Sequence, residues 1–448
     1  MWESIKQLVE NGNYLQAKQE LDKEKAVSGC PDDLFAVLDA SVCEAMGDED
    51  GMFDAIAAGL ACNPENYELY YLLGCFYYKK NPDQAFLCFQ NALFYCGNKE
   101  DLDVIRAGME ALRQDYDITV RNTDIVIVSY NACYLLQKNL ESIRNTLLKG
   151  TYRIIAVDNA SDDGAAEWLE EQEDVILIRN RENKGFAHAC NQGAAAVSDE
   201  ESRENNIFLL NNDTRLAVNS LFWLRMGLYE NEKTGAAGSY SNYAGNEQQL
   251  DIAFTLPGEY LQYGAKLNIP LRHPYEERVR LSGFAMLIKR NAWNLAGGMD
   301  ERFTPGYFED DDLSMQILQK GYRLVLCRNS FIYHAGSQSF KDREDVEQIL
   351  QEHHGLFIKK YGFDILEYAY PAKDLTAGIP YGERDEFNIL QIGSGLGADL
   401  KWLRTVYPGA HGVGLETDEA LFRSSADTEA VFRNAEDLPA AAHSSVYI

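Results

Sequence analysis

An α/β core is predicted by three observations in the middle of this sequence. At Asp124 the helical spacing of apolar residues gives way to a continuous β-branched run, Ile125-Val-Ile-Val128. Extended and helical segments then alternate: a helix over Leu135 to Leu148, a strand Arg153-Ile-Ile-Ala-Val157, a further helix, and a strand Val175-Ile-Leu-Ile178. The apolar runs end on polar residues, and Ile207-Phe-Leu-Leu210 does so most abruptly, on Asn211, Asn212 and Asp213. Strands apolar on both faces belong to a sheet covered on both sides, so the alternation predicts a parallel, doubly wound sheet. Ligands of such sheets sit beyond the carboxyl ends of the strands, where these polar tips lie.

Composition narrows the function classes. The 448 residues are 46% hydrophobic and 11% aromatic, enough for packed cores in more than one domain. A formal charge of -29 argues against nucleic acid or an anionic membrane as a partner, since both reward clustered Lys and Arg. The nine cysteines lack paired metal-type spacing, and the start Met-Trp-Glu-Ser-Ile-Lys lacks a basic region followed by an apolar one. No apolar run approaches the roughly 20 residues of a membrane span. The expectation is a cytoplasmic protein with free thiols.

Residues 1–118 read as helical. Met52, Ile56 and Gly59 lead to Pro64, which closes one helix; Tyr70, Leu73, Gly74 and Tyr77 open the next; Ala85, Phe89 and Ala92 follow at the spacing of closely packed helix pairs. Asn13-Tyr-Leu-Gln-Ala17 with Leu21 looks like the second helix of another unit. These segments resemble tetratricopeptide repeats, although the turn Lys79-Lys-Asn-Pro-Asp83 is about one residue short of that pattern. The resemblance implies a surface for a protein partner or for self-association. The plainer alternative is a helical cap that covers its neighbour.

The strand tips suit a nucleotide. The first run ends in Ser129-Tyr-Asn131 and the second in Asp158-Asn-Ala-Ser-Asp-Asp-Gly164. Asp158 can accept a hydrogen bond from a base or a ribose hydroxyl, and Asn159 and Ser161 can reach neighbouring groups. Ser161 or Asp162 is also expected to cap the following helix. In Asn180 to Gly193 a turn leads into a helix with Asn191 on its inward face, and Lys184 can neutralise a phosphate. Asp213 falls where a diphosphate would lie, and a divalent cation with oxygen ligands is the usual way to hold one. Asn211 can contact that cation through its carbonyl or orient a bound water.

Taken together these blocks resemble glycosyltransferase family 2, with the nucleotide-sugar-binding GT-A fold, and within it the rhamnosyltransferase-like branch. The residues that carry the resemblance are Ile125 to Asn131, Val157 to Gly164, Asn183-Lys-Gly-Phe186 with Asn191 and Gly193, Leu210 to Thr214, Leu281 to Met286, Gly297 to Phe303, Phe308 to Leu313 and Tyr333-His-Ala-Gly336. The family's metal motif often reads Asp-x-Asp; here Asn211 stands at the first acid, leaving Asp213 as the anionic ligand. The resemblance implies a nucleotide-sugar site at Ser129, Asn131, Asp158, Asn159, Lys184, Asn191, Asn212 and Asp213. It implies manganese or magnesium at Asp213 and His334, with Asn211 beside them, and imidazole is a competent ligand for such cations.

The run Glu309-Asp-Asp-Asp312 precedes a helix in which Leu313 and Ile317 face the core and Gly321 terminates. A helix dipole accounts for Asp311 and Asp312. By resemblance Asp310 is the base that takes the proton of an acceptor hydroxyl, and Glu309 binds acceptor or orients the loop. Ser282, Gly283 and Phe284 are implied in the sugar and acceptor pocket, with Arg302 and Tyr307 nearby.

After a helix over Asp342 to Tyr361, Phe387-Asn-Ile-Leu-Gln-Ile-Gly-Ser-Gly-Leu-Gly397 is a strand entering a Gly-rich turn, and Gly412-Val-Gly-Leu-Glu416 is a second strand ending in an acid. This resembles the start of a class I methyltransferase, with Gly393, Gly395 and Glu416 as an S-adenosylmethionine-like site and Asn434 to Leu438 near the adenine. Ser445 to Ile448 reads as a further strand. A whole domain of that kind exceeds about 100 residues, so methyl transfer is not expected from residues 386–448. The expected division is a repeat-like region 1–118, a GT-A domain 122–341, a helical extension and linker 342–385, and the partial C-terminal domain 386–448. The expected activity is inverting transfer from dTDP-rhamnose or a UDP-hexose to a protein or surface-polysaccharide hydroxyl. The alternatives are a scaffold with a degenerate transferase domain and a bifunctional glycosyltransferase-methyltransferase.

Overall fold

The computed structural model describes residues 2–29, 32–196, 199–256, 258–336, 345–383, 385–425, 430–439 and 446–447. Seven helices come first: α1 Trp2–Glu10, α2 Tyr14–Ser28, α3 Asp33–Met46, α4 Glu49–Cys62, α5 Tyr67–Tyr77, α6 Pro82–Tyr95 and α7 Lys99–Asp115. Asp32, Asp48, Asn66, Asn81 and Asn98 each precede one of them and accept a hydrogen bond from a first-turn amide, which is why the boundaries fall where they do. The small-residue spacing has a steric basis: a Cβ on Gly59 would lie 2.4 Å from the Ala36 Cβ and 2.5 Å from Leu69.

The central sheet is built from β1 Thr123–Ser129, β2 Tyr152–Asp158, β3 Val175–Arg179, β4 Asn206–Asn211, β5 Thr214–Leu216, β6 Thr234–Tyr240, β7 Tyr275–Arg278, β8 Ala285–Ile288 and β9 Arg323–His334. Their order is β3-β2-β1-β4-β8-β6-β9-β5, with β7 also on β9. The first four strands are parallel, as expected. Beyond β4 the expectation of a parallel sheet fails: β8 is antiparallel to both β4 and β6, and β5 and β7 are antiparallel to β9. The sheet is therefore mixed. Helices α8 Cys133–Thr146, α9 Ala165–Glu170, α10 Phe186–Ala194, α11 Ser220–Leu228, α12 Glu259–Leu267, α13 Arg290–Ala296 and α14 Glu309–Leu318 accompany it.

Two further regions dock on this sheet. Gln84 of α6 donates to the Met226 carbonyl at 2.8 Å, Asn219 donates to the Pro64 carbonyl at 2.7 Å, and the buried Tyr70 meets Phe222 edge-on. The α5 and α6 helices thus do what a cap does, covering α11. On the C-terminal side follow α15 Val346–Tyr361, α16 Ile365–Tyr368, β10 Phe387–Ile392, α17 Ala398–Val406, β11 Ala410–Leu415, α18 Glu419–Ser425, β12 Val431–Phe432 and β13 Val446–Tyr447. The expected start of α15 at Asp342 lies outside the described residues, as do Ser445 and Ile448 of the last strand. The four strands form a separate parallel sheet, ordered β12-β11-β10-β13. Fully buried Lys401 on α17 pairs with Glu277 on β7 at 3.1 Å, and Arg323 and Arg404 share that carboxylate. Burial pushes the Glu277 carboxyl up, but the three cations outweigh it and hold it down at about 2. Among the described residues no helix is long and apolar enough to cross a membrane.

Candidate active site

The carboxyl ends of β2, β1 and β4 meet along one edge, and their tips are buried. Ser129 pairs in register with Asp158, and both are fully buried. The Ser129 hydroxyl, the Asp158 Oδ1 and the Asn212 amide nitrogen have no hydrogen-bond partner among the described residues. Buried polar atoms without partners are costly, and three of them on adjacent tips leave hydrogen-bonding capacity that a polar ligand or water could use.

Other expected contacts turn inward. Asn159 donates to Asn183 Oδ1 and the Gly185 carbonyl and accepts from Asn180 and the Lys184 amide, so it holds the loop before α10. Asn191 donates to the Met299 carbonyl and Glu301 and accepts from the Met299 amide, which makes it a latch on the 299–301 segment. Neither side chain is oriented for a nucleotide. Asn131 (φ +48°) accepts from the Asp162 amide and donates its own amide to Ser161 Oγ. The expected caps Ser161 and Asp162 give way to Asp163, which accepts from Ala165 at the start of α9 and from Cys133 at the start of α8. Lys184 is exposed beside this edge.

At the end of β9, His334 is clamped on every side. Its backbone exchanges hydrogen bonds with the Asn242 side chain, and its Nδ1 lies 2.7 Å from the Tyr243 carbonyl. A carbonyl can only accept, so Nδ1 carries the proton, and in the neutral ring the Nε2 lone pair faces outward. That nitrogen is 3.1 Å from Asp213 Oδ1. Two lone-pair-bearing atoms at that separation call for a proton or a cation between them, and a ring fixed through its other nitrogen is the usual arrangement of a metal-ligating histidine. The donor set fits a divalent cation. Asn211 differs from expectation: its amide nitrogen, not its carbonyl, approaches His334 Nε2 at 3.4 Å. Among the described residues no group of three or more His, Cys, Asp or Glu could hold a metal, so a cation held by Asp213 and His334 would need other oxygens to complete its shell.

Gly283 and Phe284 join this pair to the acidic run. Gly283 donates its amide to Asp310 Oδ2 at 2.9 Å, while Phe284 stacks on the His334 ring at 5.2 Å and accepts from the Asn211 amide at 2.8 Å. A cavity of about 590 Å³ opens at Asp310, with Ser282, Tyr307 and Glu309 in its wall. α15 and α16 also line it, through Leu350, His354 and Leu366. Glu309 is buried, and its Oε2 has no partner among the described residues. Burial, reinforced by the neighbouring Asp310 charge, pushes its carboxyl well above the usual range.

The rest of the run is anchored rather than merely placed at a helix start. Asp311 pairs with Arg280 at 2.6 Å; burial raises it to about 7 despite the pull of that guanidinium. Asp312, fully buried, accepts from Lys360 at 2.5 Å and the Tyr361 hydroxyl at 2.9 Å. Arg302 is exposed and paired with Asp300 and does not line the cavity, whereas Tyr307 does. Asn242 and Tyr243 escaped the sequence reading. They form the polar tip of β6, whose run Thr-Gly-Ala-Ala-Gly-Ser-Tyr lacks the β-branched signature of its neighbours.

In the C-terminal sheet Glu416 takes a different job from the one expected. Its Oε2 accepts from the Gly395 amide at 2.7 Å and its Oε1 from the Asp418 amide at 2.8 Å, so it fixes the Gly393 to Gly397 turn. Gly395 itself approaches Tyr368 so closely that a Cβ there would lie 2.9 Å from the ring.

Residues 124–294 match the family model of glycosyl transferase family 2. The match covers β1 to β8 and ends before α14 and β9. The uncharacterized protein y4gI of Sinorhizobium fredii is 23% identical over 278 residues, which take in 59% of this chain and 29% of that protein. This chain therefore spans less than a third of the length of that relative. Among solved structures, GalNAc-T7 with UDP, GalNAc and Mn2+ is similar at a TM-score of 0.44 and 17% identity, covering 60% of this chain and 54% of that one. The mannosyltransferase PcManGT from Pyrobaculum calidifontis, with GDP-Man and Mn2+, is similar at a TM-score of 0.38 and 18% identity, covering 61% and 76%.

Proposed function

We propose that this chain transfers a sugar from a nucleoside diphosphate sugar to an acceptor hydroxyl, with inversion. The supporting observation is the junction at Gly283 and Phe284, where one residue binds Asp310 and the next stacks on His334. That junction puts a carboxylate and a cation-competent pair on either side of a two-residue turn, next to three strand tips with unpartnered polar atoms. The match to glycosyl transferase family 2 supports the same reading.

The nucleoside would lie across Ser129, Asp158 and Asn212, with Lys184 toward the phosphates. Asp213 and His334 would hold manganese or magnesium, which offsets the charge that develops as the diphosphate leaves. The acceptor enters the cavity at Asp310, between Tyr307 and α15. Asp310 takes the hydroxyl proton as that oxygen attacks the anomeric carbon from the face opposite the diphosphate. Glu309 beside it helps to bind the acceptor or orients the loop. Ser282, Gly283 and Phe284 keep the two halves in register and shape the sugar pocket.

The donor is dTDP-rhamnose or a UDP-hexose, and the acceptor a protein or a surface polysaccharide. The helical region 1–118 can add a partner surface on faces not spent on α11. The test is donor turnover by the full chain with manganese, using dTDP-rhamnose, UDP-glucose and UDP-galactose. We expect release of the nucleoside diphosphate from one of them and loss of that release in Asp310→Asn. Silence with every donor would favour the scaffold reading.

A further inference from the structure

Helix α15 lies outside residues 124–294, yet it holds the turn that carries Asp310. Tyr307 and Phe308 are consecutive residues with side chains at φ +72° and +68°, the left-handed region that a Cβ disfavours. Such a turn persists only where its surroundings determine it. Here the surroundings come from α15. His353 is buried, and its Nδ1 faces two carbonyl oxygens, Gly306 at 2.8 Å and Tyr307 at 3.0 Å. Both can only accept, so one Nδ1–H is shared between them. Phe303 meets the ring edge-on and fixes its plane, with centroids 5.6 Å apart at 88°. One residue on, His354 stacks on Phe308 at 5.3 Å and 19°. Lys360 and Tyr361 grip Asp312, so the acidic run is held by the same helix before and after Asp310.

We propose that His353 is a positioning residue for sugar transfer, its Nδ1–H locking the left-handed turn that delivers the Asp310 carboxylate to the acceptor. Phe308 directly precedes Glu309, and Asp310 meets Gly283 at a single amide, so a change in the turn displaces the carboxylate against the sugar seat. Misplacement of a reacting group by about 1 Å can cost on the order of 10²-fold in rate. The donor seat shares no residue with this turn. Loss of the clamp therefore lowers kcat and leaves donor binding alone, which simple loss of core packing would not do.

This inference rests on the transferase reading, and the experiment separates the two. Full-length wild type, His353→Asn, His353→Gln and His353→Leu are compared with the donor that the wild type turns over and MnCl2. Asn places an amide N–H where Nδ1 lies, Gln places it one bond further out, and Leu keeps the bulk without a donor. We expect His353→Asn to stay within about 3-fold of wild-type kcat. The Gln and Leu variants should fall roughly 10- to 100-fold in kcat, with unchanged donor KM and unchanged UDP or dTDP affinity by calorimetry in MnCl2. If Leu does not fold, the Asn and Gln pair decides, at matched thermal midpoints. Equal kcat in Asn and Gln, or a kcat that falls only with the folded fraction, would overturn the inference while leaving the transferase reading intact. A wild type that turns over none of the donors would remove that reading, and the inference with it.

Discussion

The four parallel strands β3-β2-β1-β4 and the small sheet β12-β11-β10-β13 have the same order and the same strand polarity. In each, the second strand of the unit delivers an acid beside the tip of the first: Asp158 ends β2, and Glu416 follows β11. The two acids end in opposite states. Among the described residues Asp158 keeps one buried oxygen without a partner, next to the unpartnered Ser129 hydroxyl. Glu416 has each of its oxygens on a backbone amide, Gly395 and Asp418, although Ser394 Oγ beside it lacks a partner among the described residues. An acid at a strand tip is thus no guide to ligand binding until its hydrogen bonds are counted. One sheet retains unspent polar capacity, and the acid of the other is spent on its own turn.

That contrast can be broken at several points. The largest effect should come from Asp213→Ala, which is expected to abolish manganese-dependent binding of the donor in calorimetry, while Asn211→Ala only weakens it. Equal effects would contradict the division between ligand and neighbour. Asp310→Asn should lower transfer about 10²- to 10⁴-fold in kcat with donor binding intact, the usual contribution of a positioned base. Next comes the link between the sheets. Glu277 is held at about 2 against an ordinary 4.5, so its contribution is complete above pH 4.5 and is lost as pH falls toward 2. Thermal midpoints of the full chain should drop through that window, and Glu277→Gln should flatten the drop. The linked free energy is on the order of 3 kcal/mol. Asp158→Ala should then weaken donor binding roughly 10-fold or more, the loss of a charge-assisted hydrogen bond. Glu416→Gln should be smallest for activity: donor turnover unchanged, stability down by about 1–3 kcal/mol, and no heat on titration with S-adenosylmethionine. Turnover lost in Glu416→Gln would show that the small sheet is not independent of the chemistry.

Much of the core was legible because its signals are local. Ile125 to Ile127, Ile154 to Val157 and Ile207 to Leu210 are strand segments covered on both faces, and such segments advertise themselves. The antiparallel half was not. Strand β6 is small-residue-rich because its neighbours crowd it: a Cβ on Gly235 would lie 2.7 Å from Tyr322, and one on Gly238 3.0 Å from Leu281. Strand β8 has only four residues, too few to show a period. Asn159 and Asn191 misled because an amide that could meet a nucleotide serves a loop equally well.

The sequence by itself determined that the segments forming β1 to β4 are extended, that the tips of β1, β2 and β4 are polar, and that Glu309 to Asp312 begin a helix. These follow from side-chain shape and spacing within a few residues. Only the tertiary structure decided which polar tips keep capacity for a ligand. The deciding partners are far apart in the chain: Asp310 and Gly283 are separated by 27 residues, His334 and Tyr243 by 91, and His353 and Gly306 by 47. Hydrogen bonds act over about 3 Å in space. Whether a buried acid is satisfied is therefore settled by the packing of α15, β6 and β8 against the strand tips, not by the residues beside it.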